Sequence, residues 1–394
     1  MKIAIISHLK FPIAEPFSGG LEMHTHLLAR HLQRRGHEVT LLAAEGSDPG
    51  LGLEPVCPPT GVPGSGPAEI EQVALAEHTA YCRIVERLRG GGFDLIHNNS
   101  LHYLPLTMSG RFGAPVVTSL HTPPFLELEN GVLDREDRDM PFIAVSEAVR
   151  AMWEPVMPVA AVIGNGIDLD LFTPVMTPAE PPHAIWFGRL VPEKGPHLAI
   201  QAARLAGMPL RFAGPLSDAD YWRDCIEPLL GEGVTYLGHL DHKRLAQAVG
   251  QAAVALCTPR WEEPYGLVVA EALACGTPVA GFARGALPDI TDPRSGRLAP
   301  ADDVEALARI IPEAGRLSRA DCRHRAEVFC DARVMVDRYE ALYRDTIRRH
   351  GRSALAGRST SDDTRPGERM RFRMGSRARR DGSPDEGIAR SQAT

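Results

Sequence analysis

The sequence predicts an α/β fold built twice over, as two Rossmann-like units, each a parallel sheet covered by helices. Three observations carry this expectation. Short runs rich in Val and Ile alternate with longer amphipathic stretches from the start, the rhythm of βαβ units with buried parallel strands. At 394 residues the chain is too long for one ordinary core. A Pro-rich stretch, 173–182, breaks the rhythm near the middle, where neither a helix nor a central strand can continue.

In the first unit, 1–172, strands are expected at 2–7, 38–43, 94–97, 115–120, 142–145 and 161–163. An amphipathic helix over 21–35, stopped by Gly36, separates the first two. The segment 46–67 is dense in Gly and Pro and is expected to run over the surface without regular structure. After a linker at 173–183, the second unit, 184–330, has strands expected at 184–187, 210–213, 234–237, 254–257 and 278–280. Helices are expected at 197–206 and 267–275. A closing helix is expected over 331–350. The remainder, 351–394, is rich in Arg, Ser, Gly and Asp, poor in aliphatic residues, and expected to be disordered.

Composition narrows the function classes. With 44% hydrophobic and 24% charged residues, the chain has an ordinary globular mix. A formal net charge of -7 supplies no broad positive field, which argues against nucleic acid as a partner. The seven cysteines, at 57, 82, 225, 257, 275, 322 and 330, never fall at Cys-x-x-Cys spacing, so neither a disulfide framework nor a zinc cluster is expected. The opening apolar run turns polar at His8 and lacks a cleavage site, and no window approaches the roughly 20 apolar residues that cross a bilayer. A cytoplasmic protein is expected, with any membrane contact peripheral, for instance through Arg30, Arg34 and Arg35 of the first helix.

Four segments carry chemistry. Ser18-Gly19-Gly20 follows the first strand and precedes a helix, so backbone N–H groups there can approach an anion at a positive helix end. Gly188-Arg189-Leu190 with Lys194-Gly195 follows the first strand of the second unit, where two cations can converge on a diphosphate. Glu263-Pro264-Tyr265-Gly266-Leu267 leads into a helix that contains Glu271, a carboxylate that is expensive to bury in an otherwise apolar helix without a partner or ligand. His121 ends a strand of the first unit and would point into the gap between facing sheets. Asp168-Leu169-Asp170 and Asp218-Ala219-Asp220 spell a metal-binding Asp-x-Asp, but neither follows the required strand end, and no metal is expected.

In this order, these segments resemble the retaining GT-B glycosyltransferases, with further likeness in Phe93 to His97, Ala144 to Glu147 and Asn165 to Asp168. The resemblance spans roughly 1–348. It implies two facing Rossmann-like domains, a C-terminal helix crossing back to the first, and transfer of a hexosyl group from a nucleotide-sugar to a hydroxyl acceptor without a metal or other cofactor. The donor nucleotide expected is uridine diphosphate, and the acceptor a glycan, lipid or small molecule. By this resemblance Arg189 and Lys194 hold the diphosphate, Glu271 the ribose, and Glu263 the sugar hydroxyls, while His121 faces the sugar. Gly19, Gly20, Gly188 and the backbone of Tyr265, Gly266 and Leu267 complete the anion cradle. Asp289 stands where the family often has Glu on the acceptor side. Two alternatives share the cleft: a sugar-nucleotide epimerase and a non-catalytic nucleotide-sugar-binding protein.

Overall fold

The computed structural model describes residues 1–64 and 66–358, with side chains through 352. The first sheet contains seven parallel strands, β1 (Lys2–Ile6), β2 (Glu38–Ala43), β3 (Leu53–Pro55), β4 (Leu95–Asn98), β5 (Val116–Leu120), β6 (Phe142–Ala144) and β7 (Ala161–Val162), in the order β3-β2-β1-β4-β5-β6-β7. The second contains six, β8 (Ala184–Phe187), β9 (Leu210–Ala213), β10 (Val234–Tyr236), β11 (Val254–Cys257), β12 (Val279–Phe282) and β13 (Gly296–Ala299), in the order β10-β9-β8-β11-β12-β13. Both orders reverse next to their first strand, between β1 and β4 and between β8 and β11. In such sheets ligands bind at that reversal, outside the carboxyl ends of the strands.

The central strands are buried on both faces beneath helices: Ile3, Ala4, Ile5 and Ile6 of β1 are fully buried, and the polar His97 and Ser119 of β4 and β5 are buried with hydrogen-bond partners. Two short edge strands were not expected. β3 lies inside the Gly- and Pro-rich segment and pairs Leu53 with Leu41. At an edge, the missing N–H of Pro55 costs little, and three residues are too few to stand out in a Pro-rich stretch. β13 lacks a β-branched run and pairs only with β12.

The first helix, Gly20–Arg34, matches its expected span to within one residue. The closing helix, Ala332–Arg358, runs eight residues beyond 350 and corrects the expected start of the tail. Gly351 costs only about 1 kcal/mol in a helix, and the following Arg, Ala and Leu are good helix formers. The rest of the expected tail, 359–394, lies outside the described residues.

The closing helix packs against the first helix and under the first sheet. Tyr339 and Tyr343 are fully buried there, and their hydroxyls meet Ser119 Oγ at 3.0 Å and His97 Nδ1 at 2.5 Å. Arg35, one of the candidate membrane-facing arginines, is instead paired with Asp337 of this helix, while Arg30 and Arg34 remain exposed. No helix among the described residues is long and apolar enough to cross a membrane. All seven cysteines are unpaired.

Candidate functional site

The carboxyl ends of the two sheets face each other across a cleft of about 570 Å³. The segments identified from sequence meet there from opposite sides. Gly19, Gly20 and His121 line it from the first unit; Gly188, Arg189, Lys194, Glu263, Tyr265, Gly266 and Leu267 line it from the second.

Two helix N-termini converge in this cleft. The helices Gly20–Arg34 and Leu267–Ala274 have Gly19 and Gly266 at their N-caps, and neither receives a side-chain cap. Their first turns touch: a Cβ on Gly20 would sit 2.7 Å from Leu267 Cδ1, so the close approach depends on a missing side chain. Each N-terminus carries about half a positive charge, and together they form a ready anion site.

The cationic side of the site is built by two loops tied together. Trp186 Nε1 donates to Thr258 Oγ1 at 3.1 Å, and Thr258 Oγ1 donates to the Gly195 carbonyl at 2.8 Å. Gly195 has φ +64, and a Cβ there would lie 2.3 Å from the Thr258 carbonyl oxygen. This fixes Lys194 against the loop after β11, where its Nζ donates to Glu263 Oε2 at 2.6 Å and lies 5.0 Å from the Trp261 ring centroid. Trp261 Nε1 donates to the same Oε2 at 3.0 Å, so both bonds hold Glu263 through one carboxylate oxygen. Arg189 Nη2 stands 3.7 Å from Glu193 Oε1.

His121 is held by Asn99, whose Oδ1 accepts from Nε2 at 3.0 Å, leaving Nδ1 as the ring's acceptor. Burial first, and then the neighbouring His24, His97 and His8, hold its pKa well below the ordinary histidine value. His121 is therefore a neutral hydrogen-bonding group at physiological pH and not a store of positive charge.

Glu271, Tyr265 and Asp289 have distinct surroundings. Glu271 lies on the helix whose first turn lines the cleft, but is not itself among the lining residues. Tyr265 lines the cleft, and its ring packs close to Gly164, where a Cβ would approach Cε2 to 3.0 Å. Asp289 Oδ2 accepts from the Glu147 backbone N–H at 3.2 Å, at the N-terminus of the helix Glu147–Trp153, so it joins the two units outside the cleft. Of the Asp-x-Asp pairs, Asp218 caps a helical turn through Tyr221 N and Asp168 accepts from Asp170 N.

Sequence reasoning missed the pair His8 and Glu22. They lie in the cleft with Nε2 and Oε1 3.1 Å apart, a close contact without good hydrogen-bond alignment, and both are buried. Burial raises the Glu22 pKa, but contact with His8 and the Arg189 charge leave it lowered on balance. A polar residue just after a strand and an acid in the following helix's first turn were the available signal.

Glu271 gives a test of the site's electrostatics. Burial alone pushes its carboxyl from the ordinary 4.5 up to about 8. The folded chain then keeps a proton that the unfolded chain releases, so the stability it contributes is full below the unfolded pKa. That contribution is lost as pH rises toward the folded value, by at most about 1.4 kcal/mol per unit. Thermal unfolding between about pH 5 and 8 should show wild type losing stability relative to Glu271→Gln. A difference independent of pH would refute the assignment.

Comparison with known proteins agrees with this architecture. Residues 18–171 match the model of Glycosyltransferase Family 4, and residues 173–327 that of Glycosyl transferases group 1. A D-inositol 3-phosphate glycosyltransferase of Mycobacteroides abscessus is 30% identical over 82% of this chain and 85% of its own. Its counterpart in Mycolicibacterium smegmatis is 27% identical over 95% of this chain and 97% of its own. Among solved structures, Anabaena HepE in complex with UDP superposes with TM-score 0.69 at 19% identity, over 88% of this chain and 100% of that one. Sucrose-phosphate synthase from Thermosynechococcus elongatus does so with TM-score 0.65 at 23% identity, over 87% and 98%. With both halves matched in order, the two-sheet fold shared, and a relative at 30% identity over most of its length, the chain belongs to the GT-B glycosyltransferases of family 4 and group 1.

Proposed function

We propose that this glycosyltransferase moves a hexosyl group from a nucleoside-diphosphate sugar to a hydroxyl acceptor, with retention at the anomeric carbon and without a metal. The observation that carries the reading is the meeting of two uncapped, glycine-bearing helix N-termini beside Arg189 and Lys194. Cleavage of the anomeric C–O bond leaves negative charge on the departing diphosphate. Fixed cations and N–H dipoles oppose that charge without the reorganisation that water would require.

In this reading Lys194, the helix ends and Arg189 hold the diphosphate, and Glu263 Oε1 accepts from a sugar hydroxyl. His121 Nδ1 accepts from another, its neutrality avoiding a second positive charge beside the developing oxocarbenium ion. Glu271, on the helix whose first turn lines the cleft, is assigned to the ribose hydroxyls. The acceptor oxygen attacks the face that the diphosphate leaves, and its proton passes to a phosphate oxygen. UDP is the first donor nucleotide to test, since HepE, of similar fold, binds it. Unpaired cysteines fit a reducing compartment, and we place the enzyme in the cytoplasm.

Incubation of the protein with UDP-sugars and an acceptor panel in excess EDTA should yield UDP and a glycoside whose proton NMR shows the donor's anomeric configuration. Loss of turnover in EDTA, restored by a divalent cation, would overturn metal independence. An inverted linkage would overturn retention.

A further inference from the structure

We infer that the acceptor is an uncharged hydroxyl compound with an apolar or aromatic face, and not a phosphorylated polyol. This rests on the glycosyltransfer reading above and names the substrate class of its second subsite.

The two walls of the cleft differ in chemistry. On the second unit's side Arg189 and Lys194 stand against Glu263. On the first unit's side the ionisable groups run the other way: Lys10 stands against Glu22, Glu77 and Glu127, and His8 is already committed to Glu22. A phosphate monoester carries about two negative charges near neutral pH. Placed on this wall, it would exchange water for one lysine and a carboxylate majority, an unfavourable exchange.

What the first wall does offer is apolar. Phe11 after β1, Pro63, Leu101 after β4 and Phe125 after β5 all line the cleft. Val62 and Leu126, chain neighbours of Pro63 and Phe125, are apolar and 44% and 74% exposed. Behind Leu101, His102 is sandwiched between two tyrosine rings, Tyr81 at 4.1 Å and 18° and Tyr103 at 4.5 Å and 23° between planes.

His102 adds a polar contact without charge. Burial, aided by His78, lowers its pKa to about 3, so the ring is neutral at physiological pH. The Leu104 N–H donates to Nδ1 at 3.2 Å, which puts the ring proton on Nε2. One neutral donor among flat apolar groups suits a hydroxyl on a ring-bearing molecule, the usual composition of a small-molecule site.

The test uses the full chain saturated with UDP and two probes: 4-nitrophenyl β-D-glucopyranoside, uncharged and aromatic, and D-myo-inositol 3-phosphate, the compound in the relatives' names. Isothermal titration calorimetry should give the glucoside at least about tenfold tighter binding than the inositol phosphate. Phe125→Ala should weaken the glucoside about fivefold or more while leaving UDP affinity unchanged, and Glu77→Lys should improve inositol phosphate binding. Equal or tighter binding of the inositol phosphate to wild type, or a glucoside affinity indifferent to Phe125→Ala, would overturn the acceptor inference alone. Failure of UDP itself to bind would overturn the donor reading, and this inference with it.

Discussion

Lys194→Ala is expected to lower kcat/KM about 10²–10³-fold, the scale seen when one preorganised charge-stabilising donor is removed from a leaving-group or oxyanion site. Two effects act together. The substitution deletes one of the two cations that line the proposed diphosphate site, and it strips Glu263 of its 2.6 Å partner, leaving the carboxylate with Trp261 Nε1 among the described residues in a cleft that must accept an anion. Stability should change far less, because the pair is not sealed from water: the two side chains are 22% and 13% exposed. Steady-state kinetics with thermal unfolding would separate the two quantities. Turnover within about threefold of wild type would remove Lys194 from the machinery and with it the case for a metal-free diphosphate site.

The second large effect is expected from a residue that contributes no side chain at all. Gly285, in the loop after β12, has φ +56, and a Cβ there would lie 2.3 and 2.4 Å from the Glu263 carbonyl oxygen and amide nitrogen. The same loop holds Glu263 through a 2.9 Å bond from Ala286 N to its carbonyl. Because backbone meets backbone, no rotamer change can relieve the contact, and the Glu263 loop must move. Gly285→Ala should therefore cost about 1–3 kcal/mol of stability from the left-handed conformation alone. A displacement near 1 Å should also reduce kcat about 10²-fold. Gly207→Ala is the matched control: φ is +65 there, but nothing lies within 4 Å of the added Cβ. It should lose only the share of stability due to the left-handed conformation and keep its activity. If both variants lost activity equally, or Gly285→Ala stayed active, the loop would not be what positions Glu263.

Much of the site was legible in the sequence because its chemistry is concentrated in short segments at strand ends. Gly19-Gly20, Arg189 with Lys194, and Glu263 with the helix start at Leu267 each follow a buried strand, and strand ends of parallel sheets open toward ligands. The pairing of His8 with Glu22 was not legible. It joins the end of β1 to a helix turn reached only after a loop, and neither residue is unusual alone. The edge strands β3 and β13 escaped for another reason. Edge pairing tolerates Pro, Gly and Arg, so such strands lack the apolar signature that betrays a central one. Asp289, which the resemblance relates to the acceptor side, accepts from the N-terminus of a helix of the other unit, a contact that spacing along the chain does not announce.

The α/β class, the duplication, the strand ends that bear the charged and glycine-rich segments, and the long helix after the second sheet are all readable along the chain. These depend on periodicity and on contacts between near neighbours, which a linear string records. Folding in three dimensions is what makes Gly20 and Leu267 touch, Lys194 and Trp261 share one oxygen of Glu263, and the wall opposite them acidic and aromatic. Those facts arise from two separately folded sheets brought face to face. The distances across that gap are fixed by packing between residues far apart in the chain, and spacing along the sequence carries no measure of them.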